Sequence, residues 1–403
     1  MSRVLDAVAP RRLGPGFRWL LASSWTSNLG DGLALAAGPL LVASLTSDAF
    51  VVALASTLQM LPWVGFGLYA GVLADRVDRR RLVVAANLVR GSVLAVLAAT
   101  VFADVVTVPV VLVAMFCLGT AETFVDTTTS TLLPMLVDGD DLGVANARLQ
   151  FGNNTINRLA APPIGAALFA VGASVPFAAH AISILFAVVL VARIGATPPA
   201  RTEISTSVRS EIAEGVKWVW SNPAIRLLVL TILSFNITFG AVHGIFVLYV
   251  AERLGLGELG FGVFVAFGAA GAILGTLVYT RLERLLGRSG IMRAGLVIET
   301  GTHLVLALTS RPAIAFGTMF VFGVHEAAWG TTASSLRQRL VPNELQGRVT
   351  SVYMLSVLGS MVVGQVLGGV MAGIWGITAP FWFGFVGSAA ILTVMWPRFV
   401  RLG

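Results

Sequence analysis

Apolar stretches of about twenty residues recur along this chain with only short polar interruptions, and that recurrence constrains the fold more than any other feature. A helix needs about 20 mostly apolar residues to cross the hydrocarbon of a bilayer. Inside it, unpaired peptide groups are so costly that only helices and closed barrels span. Such stretches lie near residues 18–45, 49–73, 82–102, 105–131, 147–171, 175–193, 225–250, 260–280, 291–309, 312–336, 350–373 and 379–397. They predict an all-α integral membrane protein of about twelve transmembrane helices. Composition agrees, since charged residues make up 12% of the 403 positions where a soluble domain carries about 25%.

The formal net charge of +7 raises the question of a nucleic-acid partner, and the distribution of charge answers it. With the N-terminus placed inside, the cytoplasmic segments hold 23 Lys and Arg residues, and the outside loops hold only Arg253 and Arg311. That is the positive-inside asymmetry, so the basic charge sets orientation and no nucleic acid is expected. Both termini then lie in the cytoplasm, and the Ala, Gly, Val and Arg bias suits a bacterial plasma membrane. The single cysteine, Cys117, allows no intramolecular disulfide. Basic residues before the first apolar run resemble a signal peptide, but the run carries Asn28 and Asp31 and continues too far, which predicts an uncleaved first span.

The longest polar stretch, near 195–222, divides the spans six and six: residues 1–194, a cytoplasmic linker over 195–222, and residues 223–403. Within the linker, Val208, Ile212, Val216 and Val219 have the spacing of an amphipathic helix over 207–220, with Glu214 and Lys217 on the remaining surface. It is expected to lie along the cytoplasmic face as a strap. Shifting the sequence by 204 residues exposes a repeat. Met115, Phe116, Gly119, Glu122, Thr127, Thr128, Ser130, Leu132, Leu136 and Val137 meet identical residues at Met319, Phe320, Gly323, Glu326, Thr331, Thr332, Ser334, Leu336, Leu340 and Val341. Two parallel six-helix pseudo-repeats follow, with the binding site expected between them near the midplane. Because one chain supplies both halves, a functional monomer is expected.

The segment Gly71-Val-Leu-Ala-Asp75-Arg76-Val-Asp-Arg79-Arg80-Arg81 resembles the loop signature of the major facilitator superfamily, with Asp78 where that family usually has glycine. The linker residues Glu214 to Trp218 and Asn222 to Arg226, with Val341-Pro342-Asn343-Glu344-Leu345-Gln346-Gly347-Arg348-Val349, resemble the branch containing the enterobactin exporter and macrolide efflux proteins. The resemblance covers essentially the whole chain. It implies the major facilitator fold and alternating access by two rocking halves, driven by a proton gradient with no other cofactor. It also implies that Asp75 anchors a gate at the start of the eleventh span, near Arg348, where a helix N-terminus favours a carboxylate. In the second half Tyr279 stands at the Asp75 position. Ala161-Pro162-Pro163-Ile164-Gly165-Ala166 resembles the antiporter signature of the fifth span, with two expected glycines replaced by alanine, and Gln365 stands where the corresponding signature of the eleventh span has proline.

Ionisable groups within the spans cost roughly 2.5 to 3.5 kcal/mol each on insertion and normally face a cavity or a partner. They are Asp31, Arg90, Glu122, Asp126, Arg158, Glu299 and Glu326. Glu122 and Asp126 are four apart and share a helix face; two close carboxylates in a low dielectric cannot both stay ionised cheaply, so either is a candidate proton carrier. A permanent ion pair with Arg158 or Arg90 is the alternative. The repeat matches Glu326 to Glu122 but puts Gly330 opposite Asp126. Asp31 is a candidate ligand for a cationic substrate or a proton, or a partner of Arg158. Glu299 and His303 form a relay or a structural hydrogen bond. His180, His243 and His325 read as isolated, no cluster has metal-ligand spacing, and no metal is expected. Trp63 and Trp329 are cavity candidates.

No phosphate-binding loop is present, because the only lysine, Lys217, precedes Trp218; no ATP is expected. The pattern points to a proton-coupled exporter of an amphipathic small molecule: a drug, secondary metabolite or siderophore. Alternatives on the same fold are an importer or a lipid translocator. An integral membrane enzyme is the remote alternative, without any catalytic spacing to support it.

Overall fold

The computed structural model describes residues 10–195 and 208–400, and every regular element among them is helical. In the first half these are α1 (Gly14–Leu45), α2 (Ala49–Arg76), α3 (Arg79–Phe102), α4 (Val108–Leu132), α5 and α6 (Val175–Val191). Helix α5 is built as Leu142–Phe151, a wide π-helical run Gly152–Ala160, and Ala161–Val171. The linker helix is α7 (Val208–Ser221), within one residue of its predicted bounds. In the second half, α8 (Pro223–His243) is followed by a single run Glu258–Leu308, then α11 (Pro312–Leu340), α12 (Gln346–Trp375) and α13 (Ala379–Val400). At Gly287 the long run has φ 65° and ψ 172°, a conformation reserved for a residue without Cβ. This divides it into α9 (258–286) and α10 (288–308), the eighth and ninth predicted spans.

Eight of the helical runs are long and apolar enough to cross a bilayer by length and composition. One of them is the Gly287-broken pair, and α5, α6 and α11 account for the other predicted spans. The helix starts follow local chemistry. Asp78 caps α3 by accepting from Arg81 N, and Asn222 caps α8 by accepting from Ala224 N and Ile225 N. Proline opens α4, α6, α8 and α11, where its missing N–H costs nothing.

The repeat is written into the element bounds. Adding 204 to the starts of α4, α5 and α6 at 108, 142 and 175 gives 312, 346 and 379, the starts of α11, α12 and α13. The ends of α5 and α12, at 171 and 375, differ by the same number.

The chain divides into two compact units, one of residues 1–45 and 58–203, the other of residues 46–57 and 204–403. In the first, α1 packs on α6 and α5, and α3 on α4 and α6. The α1–α5 crossing is close enough that a Cβ on Gly165 would strike the Leu33 backbone, and one on Gly32 would strike Asn157 and Ala161. Small residues admit such contact where lipid offers no hydrophobic drive for association. In the second unit α8 packs on α12, and α9 and α10 on α11. Helix α7 belongs to this second unit: Val219 is buried in its core, Gly215 sits against the Arg348 carbonyl, and Glu214 pairs with Arg348 at 2.7 Å. The expected strap is thus an integral piece of the second unit, because its apolar edge and its carboxylate both find partners on α12.

Candidate proton and substrate site

In the first unit, α1, α3 and α6 bring three ionisable side chains together. Arg90 on α3 donates through Nη2 to Asp31 Oδ1 on α1, and His180 on α6 lies 2.9 Å from the same oxygen through Nε2. Ser27, one turn before Asp31, donates to its other oxygen at 3.1 Å. Arg90 Nη1 donates to Asn87 Oδ1 at 3.2 Å. Arg90 and His180 are buried, and the Asp31 side chain is 16% exposed. Gly30 admits the imidazole, since a Cβ there would overlap the His180 ring.

Helix α4 adds Glu122 and Asp126, whose charges bear on Arg90 together with that of Asp31. Glu122 is half-buried and hydrogen-bonded by the Gln59 side chain of α2; Asp126 is exposed. Three carboxylates therefore act on one guanidinium. Only Asp31 is in direct contact with that guanidinium.

The structure revises the pairing expected from sequence. Asp31 is met by Arg90 and His180, whereas Arg158 is exposed on the wide run of α5. His180 is not isolated, and nothing in one sequence signals that a lone histidine on the sixth span reaches the first. His325 is not isolated either, since its Nε2 lies 3.2 Å from Glu299 Oε2. Trp329, expected in a cavity, is buried against Phe235 and Phe399 in the second unit's core. Glu326 is exposed on α11. Pro162 is buried, Pro163 is half-buried, and Gly165 makes the close crossing with α1, so this motif shapes the helix contact. Among the described residues no His, Cys, Asp and Glu grouping fits a metal ion.

The loop motif is a connected network. Asp75 pairs with Arg79 at 2.7 Å, and Arg79, 6% exposed, also donates to Thr131 Oγ1 at 3.1 Å and contacts Met135 Sδ at 2.9 Å. Arg80 donates to the Ile194 carbonyl at 3.0 Å. Arg76 and Arg81 are exposed, and Gly71 lies beside Thr127. Asp75 thus ties the end of α2 to α3, and Arg79 carries the tie on to the end of α4.

Residues 6–400 match the family model described as transmembrane secretion effector. The chain belongs to that family. Its relatives include the multidrug efflux pump Tap of Mycolicibacterium fortuitum, 27% identical over 90% of each chain, and macrolide efflux protein A of Streptococcus pyogenes, 24% identical over 86% of each. Among solved structures it superposes on a bacterial homologue of the iron transporter ferroportin in the inward-facing state. The TM-score is 0.77 at 16% identity, covering 95% of this chain and 98% of that one. The nucleoside transporter NupG in a mutant form gives a TM-score of 0.78 at 11% identity, covering 95% and 99%. Family and neighbours together place this chain in the major facilitator fold as a multi-pass membrane protein.

Proposed function

We propose that this chain exports amphipathic small molecules from the cytoplasm by alternating access, and that protons taken up among Asp31, Glu122 and Asp126 drive it. The observation that carries the reading is the three-to-one ratio of carboxylates to guanidinium around Arg90. A site with that charge deficit holds protons when resting and can trade them for an organic cation or release them to the other side. The relatives named as efflux pumps supply the direction and the substrate class. The asymmetry of basic residues supports cytoplasmic termini in a bacterial plasma membrane. On this reading the monomer is the working unit, ATP takes no part, and the chain performs no covalent chemistry.

The test is accumulation of a panel of fluorescent amphipathic dyes and antibiotics in cells that express the protein, with and without a proton uncoupler. Lower accumulation that the uncoupler abolishes supports energised export. Accumulation equal to that in cells lacking the protein, for every compound, overturns the substrate class.

A further inference from the structure

A second buried titratable cluster lies in the second unit, and the export site makes no use of it. Glu299 and His303 stand one turn apart on α10, and α11 brings His325 to the same carboxylate. His325 Nε2 is 3.2 Å from Glu299 Oε2, and His303 Nε2 is 3.4 Å from Glu299 Oε1, one imidazole to each oxygen. The three residues are 4%, 0% and 8% exposed. Their rings fill slots that glycines leave open. A Cβ on Gly384 of α13 would lie 2.6 Å from His303 Nδ1, and one on Gly295 would lie 2.9 Å from His325 Nδ1. Trp329 and Phe322 meet the His325 ring edge-on.

The charged neighbourhood is sparse. On α10, Arg293 is turned over the Trp396 ring. On α11, Glu326 is exposed. Helix α13 has no ionisable residue before Arg398, and from α8 His243 approaches Gln365 at 3.5 Å. The repeat shows that the cluster is no leftover of duplication. His180 aligns by 204 with Gly384, so the position that supplies an imidazole in the first unit supplies an empty slot in the second, and His303 enters it from another helix.

Two facts give the cluster a chemistry. First, the ion-pair partners of Glu299 are both imidazoles, so its balancing charge is a proton that can leave, whereas Asp31 is balanced by a guanidinium that never gives its proton up. Second, neither ring nitrogen of His303 has a hydrogen-bond partner among the described residues, and neither has Glu299 Oε1. His303 Nε2 stands 3.4 Å from Glu299 Oε1, close enough for a protonated ring to complete a charge-assisted bond.

We propose that Glu299, His303 and His325 form a second proton-binding site, in which His303 closes on Glu299 Oε1 when it accepts a proton and withdraws when it releases it. The step adds one proton to an imidazole nitrogen lone pair and breaks no other bond. A contribution of this proton to transport rests on the proton-driven reading above, while the site itself does not.

The chain has only four histidines, which makes the test direct. The full-length protein is labelled with [15N]histidine in lipid nanodiscs, and its imidazole nitrogen shifts, which report the charge and tautomer of each ring, are assigned by substituting each histidine in turn. Across the pH range in which the protein stays folded, the His303 and His325 shifts are expected to change together, because both rings share the Glu299 carboxylate. Glu299→Gln is expected to remove that shared change while the His180 shifts stay in place. Two rings that remain neutral with fixed tautomers throughout overturn the proposal, as does a titration identical in Glu299→Gln. If Glu299→Gln does not fold, the wild-type titration alone decides. Asp126→Asn separates the two readings: it leaves these shifts unchanged, and whether it ends uncoupler-sensitive export is judged independently.

Discussion

Arg90→Gln is the most informative perturbation of the first unit, because it removes the guanidinium that holds Asp31 and leaves every carboxylate in place. Arg90 is 2% exposed and in direct contact with Asp31, and its side chain also meets Asn87. An opposite-charge pair at contact and an effective dielectric of about 20 is worth about 4 to 6 kcal/mol. Removing one partner of a buried pair costs about 3 to 5 kcal/mol, because the other charge is stranded. At about 2 to 4 °C per kcal/mol for a unit of this size, the midpoint of thermal loss from the monodisperse peak in detergent should fall by about 6 to 20 °C. Adding Asp31→Asn removes the stranded charge and keeps a hydrogen-bonding partner for His180, so the double variant should recover most of that fall. The double-mutant cycle is the measurement. Strict additivity, with the double variant as damaged as the sum of the singles, would falsify the view that Arg90 exists to balance Asp31.

Asp126→Asn is expected to abolish proton-driven export while leaving expression and thermal stability near wild type, because its exposed side chain is not a packing element; dye accumulation with and without uncoupler reads this, and wild-type coupling removes Asp126 from the mechanism. Asp75→Asn should slow exchange between inward-open and outward-open states, seen as altered labelling of single cysteines, by loosening the tie through Arg79; unchanged transport rates count against the assignment. Gly165→Leu should cost at least about 1 to 3 kcal/mol by forcing α1 off α5, lowering yield and melting temperature. Gly65→Ala, where a Cβ meets nothing within 4 Å, is its silent control.

The repeat and the linker helix were legible in the sequence because they rest on local signals. Hydropathy runs, a constant offset of 204 and an amphipathic spacing each survive without knowledge of contacts. The candidate site was legible by residue type and not by pairing. A carboxylate inside a span announces itself by its cost, so Asp31, Glu122 and Asp126 stood out, yet which cation answers Asp31 depends on helix rotation. Arg158 was the partner read from sequence, and the structure puts Arg90 and His180 there instead while Arg158 is exposed on the wide run of α5. His180 and His325 looked solitary because their partners lie 149 and 26 residues away. Trp329 misled for a related reason. Its neighbour Glu326 is exposed while Trp329, three residues on, is buried in the core.

The wide run in α5 sets that helix apart from its counterpart α12. Both hold thirty residues between aligned ends, but α12 is one continuous α-helix while residues 152–160 of α5 wind in broader turns. More residues per turn advance the chain less along its axis, so α5 carries slack that α12 lacks. Slack can be spent without moving either end. Deleting one residue between 152 and 160 should be absorbed by a return to ordinary winding, with the crossing at Gly165 preserved. The same deletion between 356 and 364 should swing the rest of α12 by about 100° per residue and pull Gly368 off the Ala241 backbone it now touches. Comparing the yields of the two shortened proteins measures how much length the first unit holds in reserve.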